Sequence, residues 1–331
     1  MTATASRVLI DEVSDDIVLP YTVGALSVRG RVVRLGPALD AIFARHAYPD
    51  AVNRTLGEAA ALAVLLGSML KGEGRFQLQT KSDGPLGMIV VDFDAPSRLR
   101  LLARFDRRRL AGAIERRERE ILGRGHLAFT FDPGGDRSRY QGVTPVEGGG
   151  LERAAHDYFA RSEQIPTHVR LAVGRNVTAR GAQWRAGGIL AQFLPSSSDR
   201  LRRADLDPGD APPGAAPAPK VDEDDAWIEA KSHIATVEDH ELIDPRLSSE
   251  RLLYRLFSER GVRVAEPRTL YDVCRCSAAR MDAMLRSFTA EERRAMVGDD
   301  GLIGVTCEFC STKRVFDPTE FEVEGGDASA A

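Results

Sequence analysis

The chain has 331 residues, of which 43% are hydrophobic and 28% are charged, so we expect a globular protein of two or more domains. The formal net charge of -4 argues against a protein that coats nucleic acid or anionic membrane with its whole surface. The longest apolar run, Ala59–Leu66, is too short to span a bilayer, and residues 1–16 lack the apolar core of a secretory signal. These features favour a cytoplasmic protein.

Residues 7–195 carry a mixture of strand and helix patterns. Apolar and polar residues alternate over Ala25–Val33, as in a strand, whereas residues 37–46 have helical spacing. Thr55–Glu58 has the form of a capping box and opens an apolar stretch that predicts a buried helix. Further strands are predicted over Arg75–Thr80, Leu86–Phe93, Leu127–Phe131, Val169–Val173 and Gly188–Leu194, and an amphipathic helix over 151–162. Because strands outnumber helices and occur in clusters, we predict an α+β fold with an N-terminal mixed α/β core domain over 1–195.

Residues 196–225 interrupt this pattern. They include five prolines and the acidic run Asp222–Asp225 but no apolar periodicity. Such a segment cannot bury enough apolar surface to order itself, so we predict a flexible, proline- and alanine-rich insert.

Residues 226–264 return to helical spacing, with a break at Asp244–Pro245 and an end signal at Gly261. Their apolar side chains form two stripes, one on each predicted helix: Ile228, Ile234 and Val237, then Leu252, Leu253, Leu256 and Phe257. Isolated helices of this length are marginal in water, so both must dock on another part of the protein.

Residues 265–331 contain few large apolar side chains. Ser277 is placed to cap one helix, and Thr289–Glu292 forms a capping box for a second. Gly301–Thr306 predicts a short strand. A segment of this size cannot hold a core unaided, so we expect a metal to stabilise it.

All four cysteines lie in this last segment, as Cys274-Arg-Cys276 and Cys307-Glu-Phe-Cys310 separated by thirty residues. Two close pairs at this separation are typical of a metal site in which each pair supplies two ligands to a tetrahedron. No histidine lies beyond position 240, so the sequence predicts one zinc ion held by four thiolates. In a reducing cytosol, clustered thiols favour metal binding or redox chemistry over a permanent disulfide framework.

Zinc contributes roughly 10–16 kcal/mol to the folding of small domains, so this segment should fold with metal and unfold without it. If each close pair formed its own disulfide, a three-residue loop would contribute only about 1.6 kcal/mol. Oxidation would then dismantle the segment and act as a switch. The spacing alone also fits a permanently structural zinc ribbon.

Over nearly its whole length the chain resembles the 33-kDa heat-shock protein family of redox-regulated holdase chaperones. The four-cysteine pattern is that family's signature, and five N-terminal stretches are also similar to it: Val28–Arg31, Gln79–Leu86, Arg139–Val143, Asp157–Pro166 and Ala186–Pro195. The resemblance implies a folded N-terminal α/β domain, a helical redox-sensitive linker over 226–264 and a zinc-binding redox-switch domain over 265–331. The insert at 196–225 is longer and richer in proline than the family's usual connection.

The family's pattern implies a protein that is inactive when reduced with one zinc ion bound. Oxidation then forms the disulfides Cys274–Cys276 and Cys307–Cys310, releases zinc and unfolds the linker. The active form, usually a dimer, binds unfolding or oxidatively damaged proteins without ATP, and the sequence has no GxxxxGK[ST] loop. We therefore expect a cytoplasmic chaperone that is not an enzyme, whose two apolar stripes are covered at rest and bind clients when exposed.

Two other functions remain open from the residues alone. Residues 98–124 carry ten arginines against four acidic residues, which would suit a constitutive zinc-ribbon protein that binds nucleic acid. The glutamates among them favour a solvated charged face, so nucleic acid is not an expected partner. Cys307–Cys310 alone would also suit a dithiol oxidoreductase, but that chemistry places the pair at a helix N-terminus, whereas here it follows a predicted strand.

Overall fold

The structure is a computed structural model that describes residues 15–194 and 223–321, apart from positions 71, 119, 136, 164 and 180. The predicted insert at 196–225 lies almost wholly outside these residues. The strands are β1 (Ile17–Val23), β2 (Val28–Leu35), β3 (Gly74–Ser82), β4 (Met88–Ala95), β5 (Arg98–Arg104), β6 (Arg124–Asp132), β7 (Tyr140–Glu147), β8 (Thr167–Thr178), β9 (Gly181–Phe193), β10 (Val262–Val264), β11 (Arg268–Thr269), β12 (Tyr271–Asp272), β13 (Ile303–Thr306) and β14 (Lys313–Phe316). The helices are α1 (Pro37–His46), α2 (Asp50–Gly67), α3 (Arg107–Glu115), α4 (Gly150–Tyr158), α5 (Asp225–Ala235), α6 (Asp239–Ile243), α7 (Ser249–Phe257), α8 (Ala278–Arg286) and α9 (Ala290–Ala295). This arrangement of helices and strands confirms the predicted α+β class.

Two six-stranded sheets and a two-stranded hairpin make up the sheet structure of the described residues. The first sheet has the order β10-β1-β2-β9-β8, with β11 also paired with β1, and the second has the order β12-β5-β4-β3-β6-β7. Strands β13 and β14 form the hairpin. Strand β12 runs parallel to β5, whereas the neighbouring β4 and β5 are antiparallel. Both large sheets thus combine strands from distant parts of the chain.

Helix α2 lies between the two large sheets. It contacts β8 and β9 of the first sheet and β3, β4 and β5 of the second, and the side chains of Ala59–Leu66 are almost fully inaccessible. The predicted start of this helix at Thr55–Glu58 is wrong, because α2 begins at Asp50. Val52 is also fully buried, so packing between the sheets extends the apolar face of the helix beyond the local capping signal.

Helices α5, α6 and α7 pack on the first sheet and form with it a hydrophobic cluster separate from the one around α2. The predicted end at Gly261 is confirmed, with a φ of 74° that glycine adopts without strain. Six of the seven predicted stripe residues are buried in this cluster: Ile234, Val237, Leu252, Leu253, Leu256 and Phe257. Ile228 does not belong with them, because its side chain is 43% exposed and Trp227 takes the buried position on α5, against Phe193.

A buried arginine holds the end of α6 and the start of α7. Arg34 on β2 is 1% exposed and donates hydrogen bonds of 2.8 to 3.3 Å to the carbonyls of Glu241, Leu242 and Asp244 and to Ser249 Oγ. Burial lowers the pKa of its guanidinium to about 10, which leaves it charged at neutral pH. This charge satisfies carbonyl groups at the C-terminal end of α6 that have no partner within the helix.

After α7 the chain returns to both large sheets. Strands β10 and β11 pair with β1, and β12 pairs with β5. The last residues of the predicted linker, Val262–Val264, follow the predicted helix end at Gly261 and form a strand. Tertiary contacts decide this conformation, because the edge of β1 offers backbone hydrogen-bond partners that the local sequence does not reveal.

The arginine-rich residues 98–124 form β5, α3 and the first residue of β6. Several of these arginines form ion pairs with carboxylates, namely Arg100 with Asp92, Arg104 with Glu308 and Arg116 with Glu118. Because these arginines pair with carboxylates of the same chain, the segment suits a solvated charged face better than a surface that binds nucleic acid.

Two stacked histidines, His156 on α4 and His168 on β8, predict sensitivity to acid. Their ring centroids are 5.0 Å apart, and His156 Nε2 accepts a hydrogen bond from the Val169 amide. Burial, followed by the charges of His156, Lys231 and Arg170, lowers the pKa of His168 from 6.5 to about 4. The unfolded chain then binds this proton more tightly than the folded one, so stability should fall as the pH drops from about 6.5 to 4.

Urea unfolding at several pH values would measure this effect. We expect the unfolding midpoint of His168→Gln to depend less on pH in that window than the midpoint of the unaltered protein. His240→Gln is the matched control, because the His240 side chain is 71% exposed and does not belong to the stacked pair. Equal pH dependence in the unaltered protein and in His168→Gln would show that His168 is not the sensitive group.

Candidate metal centre

Short elements on either side of each motif present the cysteines. Cys274 and Cys276 lie between β12 and α8, and the side chain of Ser277 caps α8 as predicted. Cys307 follows β13, and Cys310 lies in the turn that leads to β14. The hairpin and the helix cap therefore bring two distant pairs of thiols to one point.

The Sγ atoms of the four cysteines lie within 4.8 Å of one another. Cys274 and Cys307 are 3.7 Å apart, and Cys276 and Cys310 are 3.4 Å apart. A tetrahedral site with Zn–S bonds of about 2.3 Å has S–S edges of about 3.8 Å, so the spacing fits a single metal ion. All four are free thiols, and among the described residues no histidine or carboxylate joins them. The geometry accommodates a metal ion with the predicted all-thiolate ligand set.

The thiols differ in how readily they ionise. Burial, followed by hydrogen bonds with the neighbouring thiols, raises the pKa of Cys276 to about 12, and burial also raises the pKa of Cys307. Burial opposes ionisation of Cys310 as well, but hydrogen bonds with Thr312 and the neighbouring thiols lower its pKa to about 7. Cys310 therefore ionises before Cys276 and Cys307, and a bound cation would favour loss of the remaining protons.

A small hydrophobic cluster supports the thiols. Its buried members are Met281, Leu285, Ile303, Phe316 and Phe321, with Cys276 and Cys307 packed against them. This cluster shares no residue with the two larger ones. So few buried side chains cannot stabilise an independent unit, and metal ligation would have to supply much of its stability.

The residue between the first two cysteines contacts the second sheet. The Arg275 guanidinium lies 2.6 Å from the carboxylate of Asp92 and 3.1 Å from that of Asp94, both on β4. Asp92 is 1% exposed and also accepts hydrogen bonds from Arg100 and the Gln77 amide. The first cysteine motif is thus anchored to a buried carboxylate.

The two residues between the other cysteines contact the core as well. Glu308 forms a bidentate ion pair with Arg104 at 2.8 and 2.6 Å. The guanidinium of Arg100 lies 3.9 Å from the centroid of the Phe309 ring, and His46 Nε2 lies 3.0 Å from the Phe309 carbonyl oxygen. Sequence reasoning missed these partners, because no local pattern links side chains so far apart along the chain.

The remaining candidate residues lie elsewhere. The six buried stripe residues belong to the cluster beneath α5–α7 and not to the one that supports the thiols. Cys307–Cys310 connects two strands and does not open a helix, so the arrangement that lowers a thiol pKa in dithiol oxidoreductases is missing from this pair.

Comparison with known proteins adds independent evidence. A family model described as Hsp33 protein matches residues 16–317. A 33 kDa chaperonin of Caulobacter vibrioides is 45% identical over 310 residues, which cover 92% of this chain and 96% of that protein. A 33 kDa chaperonin of Neisseria gonorrhoeae is 32% identical over 302 residues, which cover 91% of this chain and 89% of that protein.

Among solved structures, the fold is similar to the crystal structure of the 33 kDa chaperonin of Thermotoga maritima, a heat shock protein 33 homolog. The TM-score is 0.69 at 21% sequence identity, and the match covers 93% of this chain and 97% of that one. At this identity the likeness concerns the fold alone. The family match spans both large sheets and all four cysteines, and the Caulobacter relative extends over nearly the same length. The chain therefore belongs to the Hsp33 protein family.

Proposed function

We propose that this chain is a redox-regulated, ATP-independent molecular chaperone that holds unfolding proteins and prevents their aggregation under oxidative or heat stress. The proposal depends most on the cluster of four free thiols within 4.8 Å of one another, built on a very small hydrophobic cluster. One zinc ion held by Cys274, Cys276, Cys307 and Cys310 would stabilise this unit in the reduced, inactive form. The name shared by the relatives, 33 kDa chaperonin, supports the chaperone class.

Oxidation of the thiols is the proposed activating step. With hydrogen peroxide as the oxidant, each pair of zinc-bound thiolates gives two electrons to one peroxide molecule and forms one S–S bond. The O–O bond of the peroxide breaks, and with two protons from the solvent two water molecules are released. The proposed disulfides are Cys274–Cys276 and Cys307–Cys310. Two small rings then replace a set of ligands that joined segments thirty residues apart. The unit loses a restraint that its few buried side chains cannot replace.

The linker helices would transmit this loss to the client surface. Helices α5–α7 cover the first sheet through the six buried stripe residues, and β10–β12 connect them to residues 274–321, the thiol unit. When the thiol unit unfolds, helices α5–α7 are no longer followed by a folded segment. Their apolar side chains then become available to unfolded proteins. Ile228, already 43% exposed, would belong to the same client surface.

We propose four functional segments. They are an N-terminal chaperone core and dimerisation domain (1–195), an insert (196–225), a redox-sensitive linker (226–264) and a zinc-binding switch domain (265–331). None of the helices within the described ranges is long and apolar enough to cross a membrane. A cytoplasmic location, a homodimeric active form, unfolded client proteins as partners and the absence of enzymatic activity belong to the same proposal.

Light scattering of a thermally unfolding client, mixed with reduced or peroxide-treated protein, tests the proposal. A chromogenic chelator would measure zinc release in parallel. We expect about one zinc ion per reduced chain, its release on oxidation and suppression of aggregation by the oxidised form alone. Protein that is re-reduced with zinc after oxidation is the control and should be inactive again.

Two results would argue against the holdase. Zinc release without any gain in anti-aggregation activity would separate the metal site from chaperone function. Salt-dependent binding of RNA or DNA by the reduced form would favour a constitutive zinc-ribbon protein instead.

A further inference from the structure

The three residues that lie between paired cysteines, Arg275, Glu308 and Phe309, all contact the second sheet or its neighbouring helix. Arg275 reaches Asp92 and Asp94 on β4, whereas Glu308 and Phe309 reach arginines on β5. The carbonyl of Phe309 also lies within hydrogen-bond distance of His46, the last residue of α1. The residues enclosed by the cysteine pairs thus supply most of these contacts, and Ser311, just after Cys310, adds one more through its Oγ, 3.2 Å from His46 Nδ1.

These contacts differ in how deeply they are buried. The side chains of Arg275 and Asp92 are 14% and 1% exposed, whereas those of Arg104 and Glu308 are 62% and 60% exposed. A buried carboxylate that loses a charged partner is costly, whereas an exposed ion pair contributes little. Arg275 is therefore the main docking residue, and the Arg104–Glu308 pair is a minor one.

The attachment of the thiol unit is mostly polar. Its hydrophobic cluster has no member in common with either core cluster, so ion pairs, hydrogen bonds and the stacking of Arg100 on Phe309 hold it in place. The strength of ion pairs and hydrogen bonds depends on the distance and angle between the two groups more strongly than the stabilisation from apolar burial does. A small change in backbone path at the two motifs is enough to break them.

Closing a disulfide within each motif would impose such a change. The ring closed by Cys274 and Cys276 contains Arg275, and the ring closed by Cys307 and Cys310 contains Glu308 and Phe309. The nearest sulfur pairs in the reduced structure instead join one motif to the other, at 3.7 and 3.4 Å. The backbone around each docking residue must therefore rearrange when the sulfur atoms exchange partners.

We propose that Arg275, with Phe309 in support, is the positioning residue that couples the chemical state of the thiols to the core. It holds the metal-loaded unit against β4 and β5 and releases it when the two motifs close into disulfides. This inference rests on the proposed redox function, of which it names the transmission step. The inference differs from the proposed function in one consequence: replacing Arg275 should undock the thiol unit even when the protein is reduced and metal-loaded.

Hydrogen exchange of the full-length reduced protein, read together with zinc content, tests this role. The reporter is the Tyr271 amide, which donates to the Ser97 carbonyl at 2.8 Å where β12 joins β5. In Arg275→Gln we expect Tyr271 to exchange about tenfold faster or more, with zinc still bound and β13 still protected. Glu308→Gln is the matched control and should leave Tyr271 exchange close to that of the unaltered protein.

A variant on the core side separates docking from metal binding. Arg100→Gln changes no residue of either cysteine motif, but it removes a hydrogen bond to Cys274, so zinc content is measured in this variant as well. It should also speed Tyr271 exchange, and with zinc retained it decides between the two explanations if Arg275→Gln loses zinc. Unchanged Tyr271 exchange in Arg100→Gln and in a zinc-loaded Arg275→Gln would overturn the proposal. Full protection of Tyr271 in wild-type protein that carries both disulfides would overturn it as well. Loss of anti-aggregation activity with the expected exchange pattern would count against the holdase and leave this coupling standing.

Discussion

Replacing Cys310 with serine is expected to unfold residues 277–321 while leaving the two six-stranded sheets folded. The unit has only five buried apolar side chains of its own, and metal ligation contributes roughly 10–16 kcal/mol in comparable small domains. That is as large as the whole net stability of a typical protein, about 5–15 kcal/mol. Hydrogen exchange of α8 and β13, with zinc content measured on the same samples, would record the loss.

The control for this substitution is Val315→Ala in the neighbouring strand β14. Val315 is 54% exposed, so its truncation should leave both zinc content and protection of α8 unchanged. Protection of α8 and β13 that survives in metal-free Cys310→Ser would show that the hydrophobic cluster is sufficient by itself. The unit would then be a stable domain and a poor redox switch.

Leu253→Ala is expected to loosen the linker helices in the reduced protein. Leu253 is fully buried between α7 and the first sheet, and removing such a side chain costs about 2–5 kcal/mol through lost burial and the cavity left behind. Urea unfolding followed by hydrogen exchange of α5–α7 would measure the change. If the linker covers the client surface, reduced Leu253→Ala should also bind an apolar dye and suppress client aggregation.

The adjacent residue provides the control. Tyr254 lies on the same helix but is 69% exposed, so Tyr254→Ala should change the free energy of unfolding by only about 0.5 kcal/mol. Equal stability of the two variants would mean that α7 is not held by its apolar stripe. A destabilised Leu253→Ala that shows no reduced-state activity would instead remove the linker from the proposed client surface.

Local signals predicted many elements well. The helix over 37–46 has the predicted bounds, and the capping box at Thr289 forms with both of its hydrogen bonds. Gly261 ends the helical part of the linker as expected. These features succeed because each depends on the conformational preferences of a few neighbouring residues.

Elements that depend on distant partners were predicted poorly. Val262–Val264 is a strand because β1 lies beside it, and α2 starts at Asp50 because the two sheets bury its first turns. Trp227 replaces Ile228 on the buried face of α5 for the same kind of reason. Each outcome is decided by the surface against which the segment packs, which periodicity does not contain.

For this protein the sequence alone predicted the candidate metal ligands, since four cysteines in two close pairs without a nearby histidine are typical of an all-thiolate site, and the structure brings their Sγ atoms within 4.8 Å of one another. It also determined the amphipathic character of the linker. Only the tertiary structure decided where the thiol unit docks, because Arg275 and the buried Asp92 are brought together by the parallel pairing of β12 with β5. Ligand chemistry is a property of residue type and spacing, whereas docking depends on charges that meet only after the sheets have formed.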